Sequence, residues 1–587
     1  MSNNETYSAA EIDQKNSDLP TAISKYESLL TGKNWHHPAA QNLFDLYLQT
    51  GDLASAFKLA TRAAELFPIE AAYQNQLGLS LFAMERFDEA EKAFERTLAL
   101  HPDLTAPAVN IAVIQSKQNS LGKALKALRA ILSNNPNDYL ALQNCGVVLS
   151  KLGQSEEALI YLDTALKQEP GSFECVQNRI GLINYVEKYS SAYFYEQAMA
   201  FWRIKNRSAA SIEPYRHARL ESQGESKPLR IGFVSADFKN HPVGRLLEPV
   251  LKAHDKKKIH TTLYSNFDLE DEFTKTIRSV CDVWCEIVFQ SDAEAAQTIY
   301  DDKIDILVDL SGHTAGNRLG VFQYKPAPVQ MTWLGFVATT GLKEMDYIIT
   351  DQHVLPVENE LYFSETPLRL ENSLLCYQPS ANANQSNPLR APTYSGVTFG
   401  CFNRVEKLNK KLILMWSQIL ASVSGSRLMI KHAHLSDEDI ASWVTDLLID
   451  GGIDAERITL RGASSYQEHL ATYDEIDITL DTYPYAGTMT TLESLWMGVP
   501  VVSLFGDTWA SRVGKSVLTT VGLPDLIAGS EQDYIDKAVA LARDADARAT
   551  LRRSIRARME SSPLLDVTQF TRELEQTYLA AWQAWTS

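Results

Sequence analysis

The pattern of apolar and polar residues changes once along this chain of 587 residues. Over the first third, apolar positions follow the period of amphipathic helices, whereas from residue 229 onward short continuous apolar runs alternate with helical segments. A polar and charged stretch at 205–228 separates the two patterns. We therefore predict an all-α region at 1–204, a linker at 205–228 and an α/β region that begins at residue 229.

A repeat of 34 residues organises the all-α region. Pro68, Pro102, Pro136 and Pro170 follow one another at this interval, and each ends a helical segment. Alanines recur at the same interval, at Ala56, Ala90, Ala124 and Ala158. Helix pairs of this length, with small residues where the helices meet, resemble the tetratricopeptide repeat, which stacks into a superhelix with a groove suited to extended peptides. The alternative is a scaffold or dimerisation surface without a peptide ligand.

The apolar runs of the second region predict two series of buried strands. The first series is 229–235, 260–266, 304–310, 329–336 and 345–351, and the second is 397–403, 427–433, 457–463, 476–482 and 499–506. Continuous apolar runs between helices are typical of parallel strands that are buried on both faces. We predict two Rossmann-like halves, 229–390 and 391–587, joined through a connection at 379–396, with an interdomain cleft that binds ligands at the carboxyl ends of the strands. An amphipathic helix at 566–585 should pack on one of the halves.

Composition narrows the range of partners and compartments. Lys and Arg number 55 against 73 Asp and Glu, a net charge of −18 that disfavours nucleic acid and anionic membranes as partners. The six cysteines lack zinc-type spacing, the chain starts without a leader pattern, and no apolar run is long enough for a membrane helix. We expect a cytoplasmic protein with reduced cysteines.

The segment 480–502 carries the clearest chemical signal. It predicts a strand, a turn and the start of a helix whose first turn contains Thr488, Thr490 and Thr491. Free backbone N–H groups, the positive end of the helix dipole and hydroxyl groups together suit a diphosphate. Glu493 is a candidate partner for ribose hydroxyls. The alternative is an ordinary helix N-terminus that uses Thr as a cap and Glu to complement the dipole.

Several motifs together resemble the O-linked N-acetylglucosamine transferase and SPINDLY family. They include LRIGFVSADFKNHPVGRLL, ILVDLSGHTAGNRLGVFQYKPAPVQMTWLGF, CFNRVEKLN, LDTYPYAGTMTTLESLWMGVPVVSLFGD and ASRVGKS, preceded by the repeats. The resemblance implies the GT-B fold. It also implies an inverting, metal-independent glycosyltransferase that moves a sugar from a nucleotide diphosphate to Ser or Thr of a protein held along the repeats.

The resemblance also assigns roles to individual residues. By its motif, Lys407 matches the lysine on the donor diphosphate and His241 the active-site histidine near the sugar and acceptor. His469 matches the histidine that stacks on the base. Thr339 and Thr340 fall in the sugar-facing turn, and His313 is expected only to line the pocket. No metal site and no cofactor are expected, the nucleotide sugar being a substrate.

Three positions depart from the usual pattern and leave the donor open. Met489 replaces a hydroxyl in the helix start, Glu493 replaces a commoner Asp, and Arg404 stands where a neutral polar residue is usual. UDP-N-acetylglucosamine is the default donor, and GDP-fucose is the alternative. A catalytically silent repeat scaffold is the hypothesis from another class. Bacterial relatives of this compact length suggest flagellin as the acceptor, and a homo-oligomer is left open.

Overall fold

The computed structural model describes residues 3–15, 18–30, 35–118, 120–208, 212–218, 227–267, 269–380 and 396–587. The chain divides into two units, residues 1–148 and 149–587. Most of the connection predicted at 379–396 lies outside the described residues.

The first unit consists of paired helices. They are α1 (Asn3–Lys15), α2 (Leu19–Ser28), α3 (His37–Gln49), α4 (Leu53–Leu66), α5 (Ala71–Ala83), α6 (Phe87–Leu100), α7 (Thr105–Lys117) and α8 (Leu121–Asn134), followed by α9 (Tyr139–Lys151) at the boundary. The repeated prolines follow the second helix of each pair, as predicted. Ala56 and Ala90 are fully buried, and a Cβ at Gly78 would lie 2.6 Å from the Phe94 ring. Small residues are therefore required where the helices meet.

Three further helices open the second unit and lead into the first sheet. They are α10 (Ser155–Gln168), α11 (Phe173–Ile183) and α12 (Ser191–Ser208). The linker predicted at 205–228 differs from what the structure describes, because α12 runs past residue 204 and residues within 212–218 contact the first α/β half. Tyr215 stacks on Tyr300 with ring centres 4.2 Å apart, and His217 hydrogen-bonds the Lys325 carbonyl at 2.8 Å.

The first α/β half is built on a parallel sheet. Its elements are β1 (Leu229–Ser235), α13 (Pro242–Ala253), β2 (Ile259–Ser265), α14 (Glu272–Arg278), β3 (Val283–Glu286), α15 (Asp292–Asp301), β4 (Ile306–Asp309), α16 (Leu319–Phe322), β5 (Val329–Thr332), β6 (Tyr347–Asp351) and β7 (Thr366–Leu370). The strand order is β3-β2-β1-β4-β5-β6-β7. All five predicted strands are present, and β5 is shorter than predicted because the chain turns after Thr332.

The second α/β half repeats this topology. Its elements are β8 (Thr398–Cys401), α17 (Lys410–Ser422), β9 (Arg427–Lys431), α18 (Glu438–Asp450), β10 (Ile458–Arg461), α19 (Tyr466–Thr472), β11 (Ile478–Leu480), α20 (Met489–Trp496), β12 (Val501–Leu504), α21 (Trp509–Thr520), β13 (Ile527–Ala528), α22 (Glu531–Arg543), α23 (Ala545–Glu560) and α24 (Val567–Thr586). The parallel strands have the order β10-β9-β8-β11-β12-β13. Two doubly wound halves after an all-α repeat region confirm the predicted fold class.

The last helix, α24, returns to the first half. Glu575 on α24 accepts hydrogen bonds from the Asp255 amide at 2.9 Å and from His254 at 3.0 Å. Phe570 on the same helix stacks on Trp333 with ring centres 6.2 Å apart. The amphipathic helix predicted at 566–585 thus packs the C-terminus of the chain against the first α/β half. Neither this helix nor any other in the described ranges combines the length and apolarity needed to span a bilayer.

Candidate functional site

The candidate site begins at the point where the strand order of the second sheet reverses. In the sheet, β8 has β9, the next strand along the chain, on one side and β11 on the other side. In open parallel sheets the loops that leave two such strands diverge and open a crevice at the carboxyl end of the sheet. Here those loops are 402–409 after β8 and 481–488 after β11.

Lys407 lies in the first of these loops and is buried. Its ammonium donates hydrogen bonds to the Ala486 carbonyl at 2.7 Å and to Asn403 Oδ1 at 3.2 Å, and it stands 4.4 Å from the centre of the Tyr485 ring. Burial lowers the pKa of Lys407 to about 8, and the Asp481 carboxylate opposes that shift. The crevice therefore contains a buried cation, and an anionic ligand beside it would favour the charged form of Lys407.

Asp481 fixes the conformation of the second loop through hydrogen bonds. Its Oδ1 accepts from the amides of Gly487 at 2.7 Å and Thr482 at 2.9 Å, and its Oδ2 accepts from Ser503 at 2.6 Å. Gly487 is required in this turn, because a Cβ there would lie 2.6 Å from Thr490 Oγ1. The turn is consequently tight and hydrogen-bonded before any ligand arrives.

The predicted phosphate site at the start of α20 is divided between an outer and an inner face. Thr488 caps the helix without a side-chain cap hydrogen bond and is half-buried, as is Thr490. Thr490 Oγ1 donates to Asn403 Oδ1 at 3.1 Å, the same oxygen that accepts from Lys407. Thr491 is buried and donates inward to the Gly487 carbonyl at 3.2 Å. Asn403 therefore links the lysine to the helix start.

Glu493 and His469 form a second part of the site on facing helices. His469 Nε2 lies 3.2 Å from Glu493 Oε2, and Tyr466 donates to Glu493 Oε1 at 3.1 Å. Arg245, from α13 of the first half, lies over the Tyr466 ring at 4.1 Å. The glutamate predicted to hold ribose hydroxyls is thus fixed by His469 and Tyr466 next to residues of both halves.

A charged cluster follows the carboxyl ends of β8 and β9. Arg404 Nη2 donates to Glu406 Oε1 at 3.1 Å, and His434 Nδ1 lies 3.5 Å from the same oxygen. Although burial opposes ionisation of Glu406, the Arg404 charge holds the pKa of its carboxyl below the usual value. Burial lowers the pKa of His432 to about 4.

His241 lies at the equivalent edge of the first sheet. It is the N-cap of α13, and its Nδ1 accepts from the Val243 amide at 3.3 Å and stands 3.6 Å from Asp237. Burial lowers the pKa of His241, and the Arg404 charge adds to the effect. The same guanidinium also lowers the pKa of Lys407. Arg404 therefore acts on both residues that the sequence predicted to be catalytic.

Thr339, Thr340 and His313 form a separate buried cluster around Glu365. Thr339 Oγ1 donates to Glu365 at 2.6 Å, and Thr340 donates to it through its amide at 2.7 Å and through its hydroxyl. His313 Nε2 donates to the Thr340 carbonyl at 2.8 Å, and burial lowers its pKa to about 4. The predicted sugar-facing and pocket-lining roles of these three residues stay predictions.

The structure thus brings Lys407 together with the threonines of α20, and His469 together with Glu493. Sequence reasoning missed the residues that connect them: Asn403, Asp481, Tyr466 and Tyr485. Asn403 and Asp481 could have been found by their position, since they follow the two strands that flank the reversal of strand order. A polar residue directly after a buried strand at that point is a candidate for the crevice.

Comparison with known proteins shows the family to which this chain belongs. The sequence pattern of Glycosyl transferase family 41 matches residues 203–376 and 389–574, which is more than half of the chain. The chain belongs to glycosyltransferase family 41. Two tetratricopeptide repeat patterns match residues 42–105 and 81–144 of this chain.

Family 41 relatives differ in how much of their length they share with this chain. A probable UDP-N-acetylglucosamine–peptide N-acetylglucosaminyltransferase SPINDLY of Solanum lycopersicum is 37% identical over 412 residues, covering 69% of this chain and 44% of that protein. The corresponding SEC protein of Arabidopsis thaliana is 29% identical over 391 residues, 64% of this chain and 39% of that protein. The chain therefore spans less than half the length of these curated relatives.

A solved structure matches over nearly its full length. It is described as a mutant of the Thermobaculum terrenum O-GlcNAc transferase, and it is 32% identical to this chain with a TM-score of 0.79. The match covers 91% of this chain and 98% of that one. Both the sequence resemblance and the fold class predicted for this chain are confirmed by these comparisons.

Proposed function

We propose that this protein is a protein O-glycosyltransferase that transfers a sugar from a nucleotide diphosphate to Ser or Thr of a protein acceptor. UDP-N-acetylglucosamine is the proposed donor, the reaction inverts the anomeric centre, and it requires neither a metal ion on the diphosphate nor a cofactor. Family membership supports the reaction class, and the names of the relatives support the donor.

The observation that carries the proposal is the buried ammonium of Lys407 beside the start of α20. A leaving diphosphate gains negative charge as the bond to the sugar breaks, and a fixed cation in a site of low polarity stabilises that charge most effectively. Asn403 joins Lys407 to Thr490, so the cation and the helix N-terminus address one ligand. Together they supply the charge that a divalent ion supplies in other transferases.

In the proposed reaction, the acceptor hydroxyl attacks the anomeric carbon from the face opposite the diphosphate. The new carbon–oxygen bond forms as the bond to the β-phosphate oxygen breaks, and the electron pair leaves with the diphosphate. A hydroxyl with a pKa of about 15 loses its proton late, so no strong base is needed at the start. A phosphate oxygen of the donor, a water chain and His241 are the candidate proton acceptors.

The contacts of His241 favour a role as a hydrogen-bond donor over a role as the base that takes the proton of the acceptor hydroxyl. Because Nδ1 accepts from the Val243 amide, the neutral ring carries its proton on Nε2. A protonated Nε2 donates hydrogen bonds, so His241 is proposed to orient the sugar or the acceptor, and the proton of the hydroxyl passes to phosphate or water. His469 is proposed to stack on the base while Glu493 receives ribose hydroxyls.

GDP-fucose remains the second candidate donor, and Glu493 is the observation that favours it. A glutamate replaces the commoner aspartate there, and both of its carboxylate oxygens are already engaged, by Tyr466 and by His469. The silent scaffold is disfavoured because a scaffold has no use for a buried cation aimed at a helix start.

The repeats are proposed to hold the acceptor along their groove, and flagellin is the proposed acceptor by analogy alone.

The deciding experiment combines binding and turnover. Calorimetry of the full chain with UDP and GDP in EDTA tests nucleotide choice and metal independence together. Intact-mass analysis of candidate acceptors, incubated with a panel of UDP- and GDP-sugars, identifies the transferred group. Binding of neither nucleotide in EDTA would contradict the enzyme proposal, and a clear preference for GDP would replace the proposed donor with GDP-fucose.

A further inference from the structure

The carboxyl ends of β8 and β9 bring three metal-ligating side chains together away from the contacts of Lys407. Glu406, His432 and His434 each place one donor atom within 4.8 Å of the donor atoms of the other two. Glu406 comes from the loop after β8, and both histidines come from the turn after β9. The cluster therefore joins two segments that are distant along the chain.

Two of these donor groups contain buried atoms that lack partners. Within the described residues, Glu406 Oε2 has no hydrogen-bond partner, and neither has His434 Nδ1, which stands 3.5 Å from Glu406 Oε1 without forming a hydrogen bond. Glu406 as a whole is only 7% exposed, although its other carboxylate oxygen accepts from Arg404. A buried carboxylate oxygen without a partner is costly, and a native structure that retains one calls for an explanation such as an ion.

The orientation of His432 completes the set. Its Nδ1 accepts from the His434 amide at 3.4 Å, which leaves Nε2 as the nitrogen available to a ligand. The two imidazole rings are nearly perpendicular, with centres 4.6 Å apart. Such rings direct their nitrogens to a shared point more readily than parallel rings do.

We propose that Glu406, His432 and His434 form a binding site for a first-row transition metal ion, with Zn²⁺ as the preferred occupant. Two imidazoles and one carboxylate are a usual protein ligand set for Zn²⁺, and the fourth position is then taken by water. Ligands at about 2.1 Å around a tetrahedral ion lie roughly 3.4 Å apart, so small side-chain rotations close the present spacing.

Arg404 holds Glu406 Oε1, so the ion is proposed to bind Oε2, the oxygen without a partner. The site also fixes the loop that carries Lys407 to the turn after β9. The hydrogen bonds that the structure shows for the Lys407 ammonium go to Asn403 and Ala486 and to none of the three proposed ligands, so the expectation of metal-independent transfer is unchanged.

The test measures metal binding without any donor or acceptor. Full-length protein without an affinity tag is stripped with EDTA, exchanged into chelator-free buffer and titrated with Zn²⁺, and with Co²⁺ to record the visible absorption of a tetrahedral site. We expect one ion per chain and a rise in melting temperature. His434→Gln should weaken Zn²⁺ binding by at least about tenfold, because loss of even an indirect supporting contact has that effect in metal sites.

His101→Gln is the matched control, because it removes one exposed histidine far from the cluster along the chain. It should bind Zn²⁺ as the unmodified protein does. His432→Gln provides a second ligand variant, so a folding defect in one variant, detected by its melting curve, leaves the other decisive. Absence of stoichiometric Zn²⁺ binding by the unmodified protein, or binding by both ligand variants equal to that of the unmodified protein, would overturn the proposal.

Discussion

Replacing Lys407 with methionine separates the role of its charge from the role of its volume. Methionine fills nearly the same space but cannot donate hydrogen bonds or carry charge. The variant should bind UDP poorly and lose transfer activity, while its fold remains intact. Nucleotide binding and turnover should respond to the ammonium because it is buried beside the helix start that is proposed to hold the diphosphate.

The magnitude follows from what the ammonium would contribute. A hydrogen bond to a charged group is worth about 1.5–3 kcal/mol, which corresponds to a loss of roughly 10- to 150-fold in nucleotide affinity. The loss in turnover should be larger, because charge on the diphosphate increases toward the transition state. The melting temperature should change by only a few degrees, since burial opposes the charged form of Lys407 in the free protein.

Calorimetry with UDP, initial rates with an acceptor protein and thermal melting measure the three quantities on one preparation. Lys410→Met is the matched control, because it removes an exposed lysine from the same segment and changes the net charge by the same amount. It should bind UDP normally. If Lys407→Met retained normal affinity and turnover, or if Lys410→Met lost as much, the proposed diphosphate contact would be refuted.

Three further predictions concern stacking on the nucleotide base, the tetratricopeptide repeats and His313 in the buried cluster around Glu365. His469→Ala should weaken nucleotide binding by about 1–3 kcal/mol in calorimetry, whereas His469→Phe should retain most of it, because stacking needs an aromatic face and not a proton. Deleting residues 1–138 should preserve nucleotide binding but reduce transfer to a full-length protein acceptor in a mass assay, since contacts of an extended segment with the groove raise the local acceptor concentration. A cut later in the chain would remove Gly153, which packs on the Val405 carbonyl. For His313, the folded-state pKa of about 4 lies below the ordinary value, so its neutral form contributes stability above pH 6.5 that is lost as the pH falls toward 4. This contribution is roughly 3 kcal/mol, and His313→Gln should flatten the pH dependence of chemical unfolding over that interval.

The sequence predicted best the strands that are buried on both faces. β1 and β4 consist almost wholly of buried residues, and continuous apolar runs reveal such strands directly. The strands that were missed in the first sheet, β3 and β7, lie at its two edges and are partly exposed, so their sequences show no such run. β13 has only two residues, which is too few for any pattern.

The candidate site was predictable where its chemistry is local. Threonines at a helix start are visible in the sequence, whereas Asn403 gains its importance only by meeting Lys407 and Thr490, the latter on the helix that follows a different strand, β11. Glu365 is a similar case, because nothing near Thr339 in the sequence indicates that a distant carboxylate engages its hydroxyl. Glu406 meets the two histidines after β9 in the same way, through the adjacency of β8 and β9.

The return of α24 to the first half has a mechanical consequence. The polypeptide passes between the two α/β halves twice, once between β7 and β8 and again between α23 and α24. Because the chain returns to the first half, a motion that separates the halves must also move α24 relative to the second half or break its contacts with Asp255 and His254. A chain that ends at residue 566 would lose α24 and this second link between the halves, while every residue of the crevice would remain in place.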